Sequence, residues 1–298
     1  MRIITRPDFD GIVCAVLLYD ALEIKKPILW VEPNDVQKGR IDILNQDIIA
    51  NLPYDERCAF WFDHHFTNQI DTPFKGAFQI APSAAGIIFE YYKERFQRDY
   101  SELVQATDKI DSANLTLDEV LHPEKYPYVL LSLTVSNEAH PNEPYWNMLV
   151  ELFRKQDIQQ ILKNSEVKQH CQEVIHQNDL YVDILKQHTV LNRHIALTDF
   201  RSLDRAPFGN RFLVYSLFPE ASVNVRIRRE KHRKDVVVIN VGHSIFNPGC
   251  HVNVGVMLAE FGGGGHRGAG SARVPLSKAD ETISRIVHQL LENKHNED

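Results

Sequence analysis

The chain has 298 residues, a length that suits one large or two medium domains. Its 43% hydrophobic and 24% charged residues are ordinary for a globular protein. A formal net charge of −7 excludes a generic cationic nucleic-acid coat protein, while leaving room for a local basic groove.

In chain order, Arg2-Ile3-Ile4-Thr5 reads as a short strand that breaks at Arg6-Pro7-Asp8-Phe9-Asp10-Gly11. Apolar residues at Ile12, Val13, Val16, Leu17 and Leu22 then follow a helical repeat. The DxDG turn therefore joins a strand to a helix, with Asp10 able to cap the helix. A cap needs only one acid. Two acids one residue apart at a strand end are costly unless a cation or a basic group neutralises them, so Asp8 and Asp10 are candidate metal ligands. Pro27 to Val31 reads as a second strand and the region around Ile41 to Leu44 as a third, placing Asp47 just past a strand end. Taken alone, Asp47 would more often be a solvated loop acid.

The run Cys58-Ala59-Phe60-Trp61-Phe62-Asp63-His64-His65 organises the chain. Its bulky uncharged residues read as a buried strand that ends in an acid and two imidazoles. Open α/β sheets bind ligands at the carboxyl ends of their strands. Adjacent histidines point in different directions, so one can ligate a metal while the other faces substrate. Further on, Ser83 is a candidate N-cap, and Leu103 to Ser112 reads as a helix end carrying Asp108 and Asp111.

Residues 146–190 are polar with helical spacing and read as a connector between an N-terminal domain, 1–145, and a C-terminal domain, 191–298. Val223 to Arg228 alternates strictly, with Asn224, Arg226 and Arg228 on one face, and Asp235 to Val241 is the returning strand. The basic connection, Arg229 to Lys234, is either a solvated hairpin tip or an edge that attracts phosphate. A helix over Val252 to Phe261 leads into Gly262-Gly263-Gly264-Gly265-His266-Arg267. These glycines allow positive φ and expose backbone N–H groups to an anion; His266 and Arg267 add donors at once. No GxxxxGK[ST] follows a strand, which excludes a P-loop. Cys14, Cys58, Cys171 and Cys250 are scattered without a CxxC, which reads as reduced thiols in a cytosolic protein. No signal-peptide pattern opens the chain, and no apolar run is long enough to span a bilayer.

Asp8-x-Asp10-Gly11, Asp47, Asp63-His64-His65 and Asp108/Asp111 resemble, in order, the four motifs of the DHH phosphoesterase superfamily. Gly263-Gly264-Gly265-His266 resembles the GGGH motif of its C-terminal associated domain. The resemblance implies an α/β protein: a parallel-sheet DHH domain, a helical connector, and a smaller α/β domain with a glycine-rich substrate loop. It implies two manganese ions, with Mg²⁺ or Co²⁺ as substitutes. Asp8 and Asp10 would each hold one ion, Asp47 would bridge them, His64 would ligate, and Asp108 or Asp111 would supply a further carboxylate. His65 would act as donor or general acid, with Asp63 orienting its neighbours. Arg226, Arg228, Gly263, Gly264, Gly265, His266 and Arg267 would bind substrate. The expected substrate is a short single-stranded oligonucleotide or a nucleotide, with no membrane partner and with homodimer formation as an option. The alternatives are hydrolysis of polyphosphate and a degenerate nucleotide-binding protein. The last is supported by Ile4, which stands where many members carry a metal-binding histidine.

Overall fold

The computed structural model describes residues 1–135, 142–231 and 233–297. The chain divides into two compact units, Met1–Leu115 with Pro123–Val174, and Thr116–His122 with Ile175–Asp298.

The first unit runs β1 (Arg2–Thr5), α1 (Phe9–Ala21), β2 (Leu29–Trp30), α2 (Pro33–Gln37), β3 (Asp47–Ala50), β4 (Phe60–Asp63), β5 (Gly76–Phe78), α3 (Ala84–Tyr92) and α4 (Ser101–Asp111). After α5 (Leu117–Leu121), which belongs to the second unit, it resumes with α6 (Pro127–Val135), α7 (Glu143–Lys155) and α8 (Ile158–Ile161). The long helix α9 (Ser165–His188) begins in the first unit and ends in the second. The second unit continues with β6 (Thr189–Asn192), β7 (Ile195–Asp199), α10 (Leu213–Leu217), β8 (Val223–Arg229), β9 (Val236–His243), α11 (Val254–Ala259), β10 (Gly264–His266), β11 (Ala269–Pro275) and α12 (Leu276–Glu292).

In the first unit all strand pairings are parallel, in the order β2-β1-β3-β4-β5. Sequence order reverses on either side of β1, so the carboxyl ends of β1 and β3 form a switch point, where such sheets bind ligands. Register aligns Ile4, Ile49 and Trp61 across three strands, and all three are fully buried. The Trp61 indole N–H donates to the Leu52 carbonyl at 2.8 Å, so this large apolar side chain is buried without an orphaned donor. Phe62, on the other face, packs against Tyr91 and Tyr92.

Two expectations need correction. The helix after the DxDG turn starts at Phe9, and Asp8 rather than Asp10 caps it, accepting from the Gly11 N–H at 2.8 Å. The third strand is Asp47–Ala50, not Ile41–Leu44; Asp47 opens this strand instead of following one. All four residues of β3 are buried, so no alternation of polar and apolar residues marks the strand.

The second unit carries a mixed sheet in the order β10-β11-β9-β8-β7-β6, parallel between β7 and β8 and antiparallel elsewhere. One face is apolar, with Val223, Val225, Ile227, Val237, Ile239 and Val241 packed with Met257, Ile283 and Ile286. The helix expected over Val252 to Phe261 is shorter, Val254–Ala259, with its cap at Asn253. The glycine run is not a loop. Gly264–His266 is an edge strand paired with Ala269, Gly270 and Ser271. Close packing demands glycine at Gly263 and Gly265: a Cβ at Gly263 would lie 2.4 Å from the Ser271 carbonyl oxygen. Gly265 has φ +153°, and a Cβ there would lie 2.3 Å from the Ala269 carbonyl oxygen.

Candidate metal centre

Three groups converge at the carboxyl ends of the first unit's strands. Asp10, in the first turn of α1, is 1% exposed; its oxygens accept from the Ala84 and Ala85 N–H groups at 3.0 and 2.9 Å. Those amides open α3, whose Ser83 cap accepts from Gly86 as the sequence predicts. His64 follows the last residue of β4. Asp111 ends α4. Nε2 of His64 lies 3.3 Å from Asp111 Oδ2 and 3.8 Å from Asp10 Oδ2. The ligand atoms of these three residues lie within 4.8 Å of one another.

The state of His64 tests whether a metal fits. Its Nδ1 lies 3.0 Å from the Ala81 carbonyl oxygen, which can only accept, so Nδ1 carries the proton. Nε2 then presents its lone pair; it is buried and has no hydrogen-bond partner among the described residues. A lone pair facing two carboxylates is repulsive unless a cation sits among them. Carboxylate, imidazole and carboxylate suit a divalent ion of the Mn²⁺ or Mg²⁺ type. The electrostatics agree. Burial, then the Asp8 charge, pushes the Asp10 carboxyl up to about 7. Burial, then the charges of Asp10 and Asp8, pushes Asp111 up to about 7.

Asp63 is fully buried, and both its oxygens are engaged: Oδ1 by His65 Nδ1 at 2.8 Å and Oδ2 by the Asn68 amide at 2.6 Å. It orients His65, whose Nδ1 donates to it and whose Nε2 is therefore the nitrogen that exchanges protons. Burial pulls His65 down, but the Asp63 hydrogen bond and charge outweigh it and raise the imidazole above its usual value.

The other candidates separate. Asp108 is one turn before Asp111, but its Oδ1 accepts from the Ser83 hydroxyl at 2.6 Å, so Asp111 is the one that faces His64. Burial raises the Asp108 carboxyl despite the Ser83 bond. Asp8 caps α1 and lies 3.3 Å from the Arg6 guanidinium. Asp47 does not belong to the centre. It sits at the amino end of β3, paired with Arg2 in the strand register and bound through Oδ2 by the Arg2 guanidinium at 2.6 Å and the Leu44 N–H at 2.8 Å. Asn51 stands at the carboxyl end of β3, where sequence reasoning placed no residue. It is 1% exposed with φ 57°, a conformation asparagine tolerates better than most residues, and its amide donates to Asp8 at 2.9 Å. The buried run Ile48-Ile49-Ala50 before it was the available signal.

In the second unit, Arg226 pairs in register with Asn240, and its charge holds down a Tyr181 hydroxyl that burial pushes up. Arg228 shares its face, as the alternation predicts. The glycine amides are only in part available as a nest: Gly263 N–H donates to the Leu258 carbonyl at 2.9 Å, and Gly264, Gly265 and His266 lie in an edge strand paired on one side with β11. Arg267 is ion-paired with Glu297.

No protein-family model and no curated protein sequence matches the chain. Solved structures do. The pGpG-specific phosphodiesterase PggH of Vibrio cholerae is 30% identical over 98% of this chain and 99% of its own, with a TM-score of 0.81. RecJ of Thermus thermophilus in complex with Mn²⁺ is 11% identical with a TM-score of 0.57; the match covers 99% of this chain and 52% of RecJ. An exopolyphosphatase-related protein from Bacteroides fragilis is 11% identical over 97% of this chain and 91% of its own, with a TM-score of 0.54. The last two share the fold. An α/β sheet with aspartates and a histidine pair at its carboxyl edge is the architecture of a phosphoester hydrolase built around divalent metal. The chain belongs to the DHH phosphoesterase superfamily.

Proposed function

We propose that the chain is a Mn²⁺-dependent phosphodiesterase of short linear oligonucleotides, with the 5′-phosphorylated dinucleotide pGpG as its first candidate substrate. The observation that carries the reading is the orphaned Nε2 of His64, aimed between Asp10 and Asp111, beside an imidazole that Asp63 holds. The near full-length similarity to a pGpG-specific phosphodiesterase supports the substrate class.

Asp10, His64 and Asp111 would hold the metal. Bound there, a divalent ion would supply acidified water and polarise a phosphoryl oxygen. The chain's own residues do the rest. Asp63 fixes the His65 ring through Nδ1, and Asn68 fixes Asp63 from the other side. His65, whose imidazole the Asp63 hydrogen bond and charge raise above the usual histidine value, presents Nε2 as the nitrogen that gives a proton to the leaving 3′-oxygen. The water oxygen ends on phosphorus and the P–O3′ bond breaks, so pGpG and water yield two GMP. Arg226 and Arg228, side by side on the polar face of β8, are guanidinium donors suited to phosphate. The four cysteines, none of them in a disulfide, support a cytoplasmic setting. No helix among the described residues is long and apolar enough to cross a membrane.

The test is release of GMP from 5′-labelled pGpG with Mn²⁺, with chelator, and in a His64→Ala variant. Turnover that requires both Mn²⁺ and His64 is expected. Hydrolysis of polyphosphate with pGpG left intact would overturn the substrate class.

A further inference from the structure

We propose that this centre binds one divalent ion, at Asp10, His64 and Asp111, and that Arg6 and Asn51 hold Asp8 in place of a second. The inference rests on the reading of the centre as a metal site and departs from the two-ion expectation.

Three hydrogen-bearing groups surround the Asp8 carboxylate. Its Oδ1 accepts two hydrogen bonds, from Gly11 N–H at 2.8 Å and from the Asn51 amide at 2.9 Å. Its Oδ2 faces Arg6 Nη1 at 3.3 Å. The carboxylate is thus already engaged by a guanidinium and two amide donors, and all three present hydrogens to it where a cation would need lone pairs. Asn51 is not free to turn away. It is buried in the left-handed region, and its own N–H is tied to the Phe62 carbonyl at 3.0 Å. Ile4 is fully buried in the strand leading to Asp8 and brings no ligand.

A pair of ions roughly 3.5–4 Å apart needs a carboxylate to bridge them and further anionic or imidazole ligands for the second. The remaining acids are committed elsewhere. Asp63 is bound by His65 and Asn68, Asp108 by Ser83, and Asp47 by Arg2 at the far end of β3. Among the described residues, Asp8 joins no cluster of three metal-ligating groups, whereas Asp10, His64 and Asp111 do.

Equilibrium dialysis against graded Mn²⁺, with metal counted per chain, tests this without reference to activity. The expected saturation is one ion per chain, with the electron paramagnetic resonance spectrum of an isolated high-spin ion. Asp8→Asn is expected to keep the ion and His64→Ala to lose it. Asn51→Asp, which puts a carboxylate in place of the amide that donates to Asp8, is expected to move the count towards two. Circular dichroism checks that each variant is folded. Two ions per wild-type chain, or an exchange-coupled spectrum, would overturn the single-ion inference and leave the phosphodiesterase reading standing. No ion bound at saturation would overturn both.

Discussion

Asp63→Asn separates orientation from ligation. The carboxylate accepts two hydrogen bonds, from His65 Nδ1–H and from the Asn68 amide. Asparagine offers one acceptor and one donor group, so one of those two hydrogens must face another N–H in a site that is fully buried. A buried mispairing of this kind costs about 1–3 kcal/mol, a fall of several degrees in Tm. The rate suffers more. If the amide turns its nitrogen towards His65, the ring loses the partner that fixes its tautomer, and general acid catalysis is worth about 10²- to 10⁴-fold. The reaction uses His65 protonated, so activity falls as pH rises through its pKa. Removing the Asp63 charge lowers that pKa, and the alkaline limb of the profile moves to lower pH. Asp10, His64 and Asp111 are untouched, so Mn²⁺ affinity is expected to stay within a fewfold of wild type. The assays are a pH–rate profile on pGpG and a metal titration of the same protein. Loss of metal binding, or an unshifted alkaline limb at full rate, would refute the assignment of Asp63 as the residue that positions His65.

Three further outcomes are expected. Asp47→Ala lowers stability by about 1–3 kcal/mol through loss of the Arg2 and Leu44 contacts, and leaves metal binding intact; a lost ion would return Asp47 to the centre. In chelator, Asp10 and Asp111 keep protons up to about pH 7, while unfolded carboxylates release theirs near 4. The stability they contribute is full below about pH 4 and is lost as pH rises through 7. Melting in chelator should therefore fall between pH 5 and pH 8, and saturating Mn²⁺ should remove most of that fall; a flat profile would contradict the buried acid pair. Arg226→Ala raises KM for pGpG roughly tenfold to a hundredfold with metal affinity unchanged, measured by initial rates and calorimetry.

Much of the centre can be read from the strand Phe60–Asp63, because a bulky apolar run ending in an acid and two imidazoles has few other structural meanings. The alternation in Val223–Arg229 marks its strand equally well, since one face is buried and the other polar. Asp47 misleads for the converse reason. Its strand is buried on both faces, so neither alternation nor a charged flank shows where it begins, and the residue at its far end is hidden with it. Asp108 and Asp111 are three residues apart on one helix face, which spacing alone leaves unresolved; a single hydroxyl, that of Ser83, tells them apart. The glycine run reads as a loop because glycine is a poor strand former. Its pairing with β11 comes from tertiary contact that no local pattern records.

The short helix α5 interrupts the first unit in sequence but packs with the second, where α10 is its neighbour. Val120 in this helix is fully buried in the finished protein. On the ribosome, the partner segment Leu213–Leu217 emerges about ninety residues after Leu121. At about 5–20 residues per second, that is a wait of roughly 5–20 seconds. Throughout it Leu117–Leu121 waits without the helix it packs against. Biogenesis of this protein therefore includes an interval in which a nearly complete first unit displays an apolar turn to the cell's chaperones.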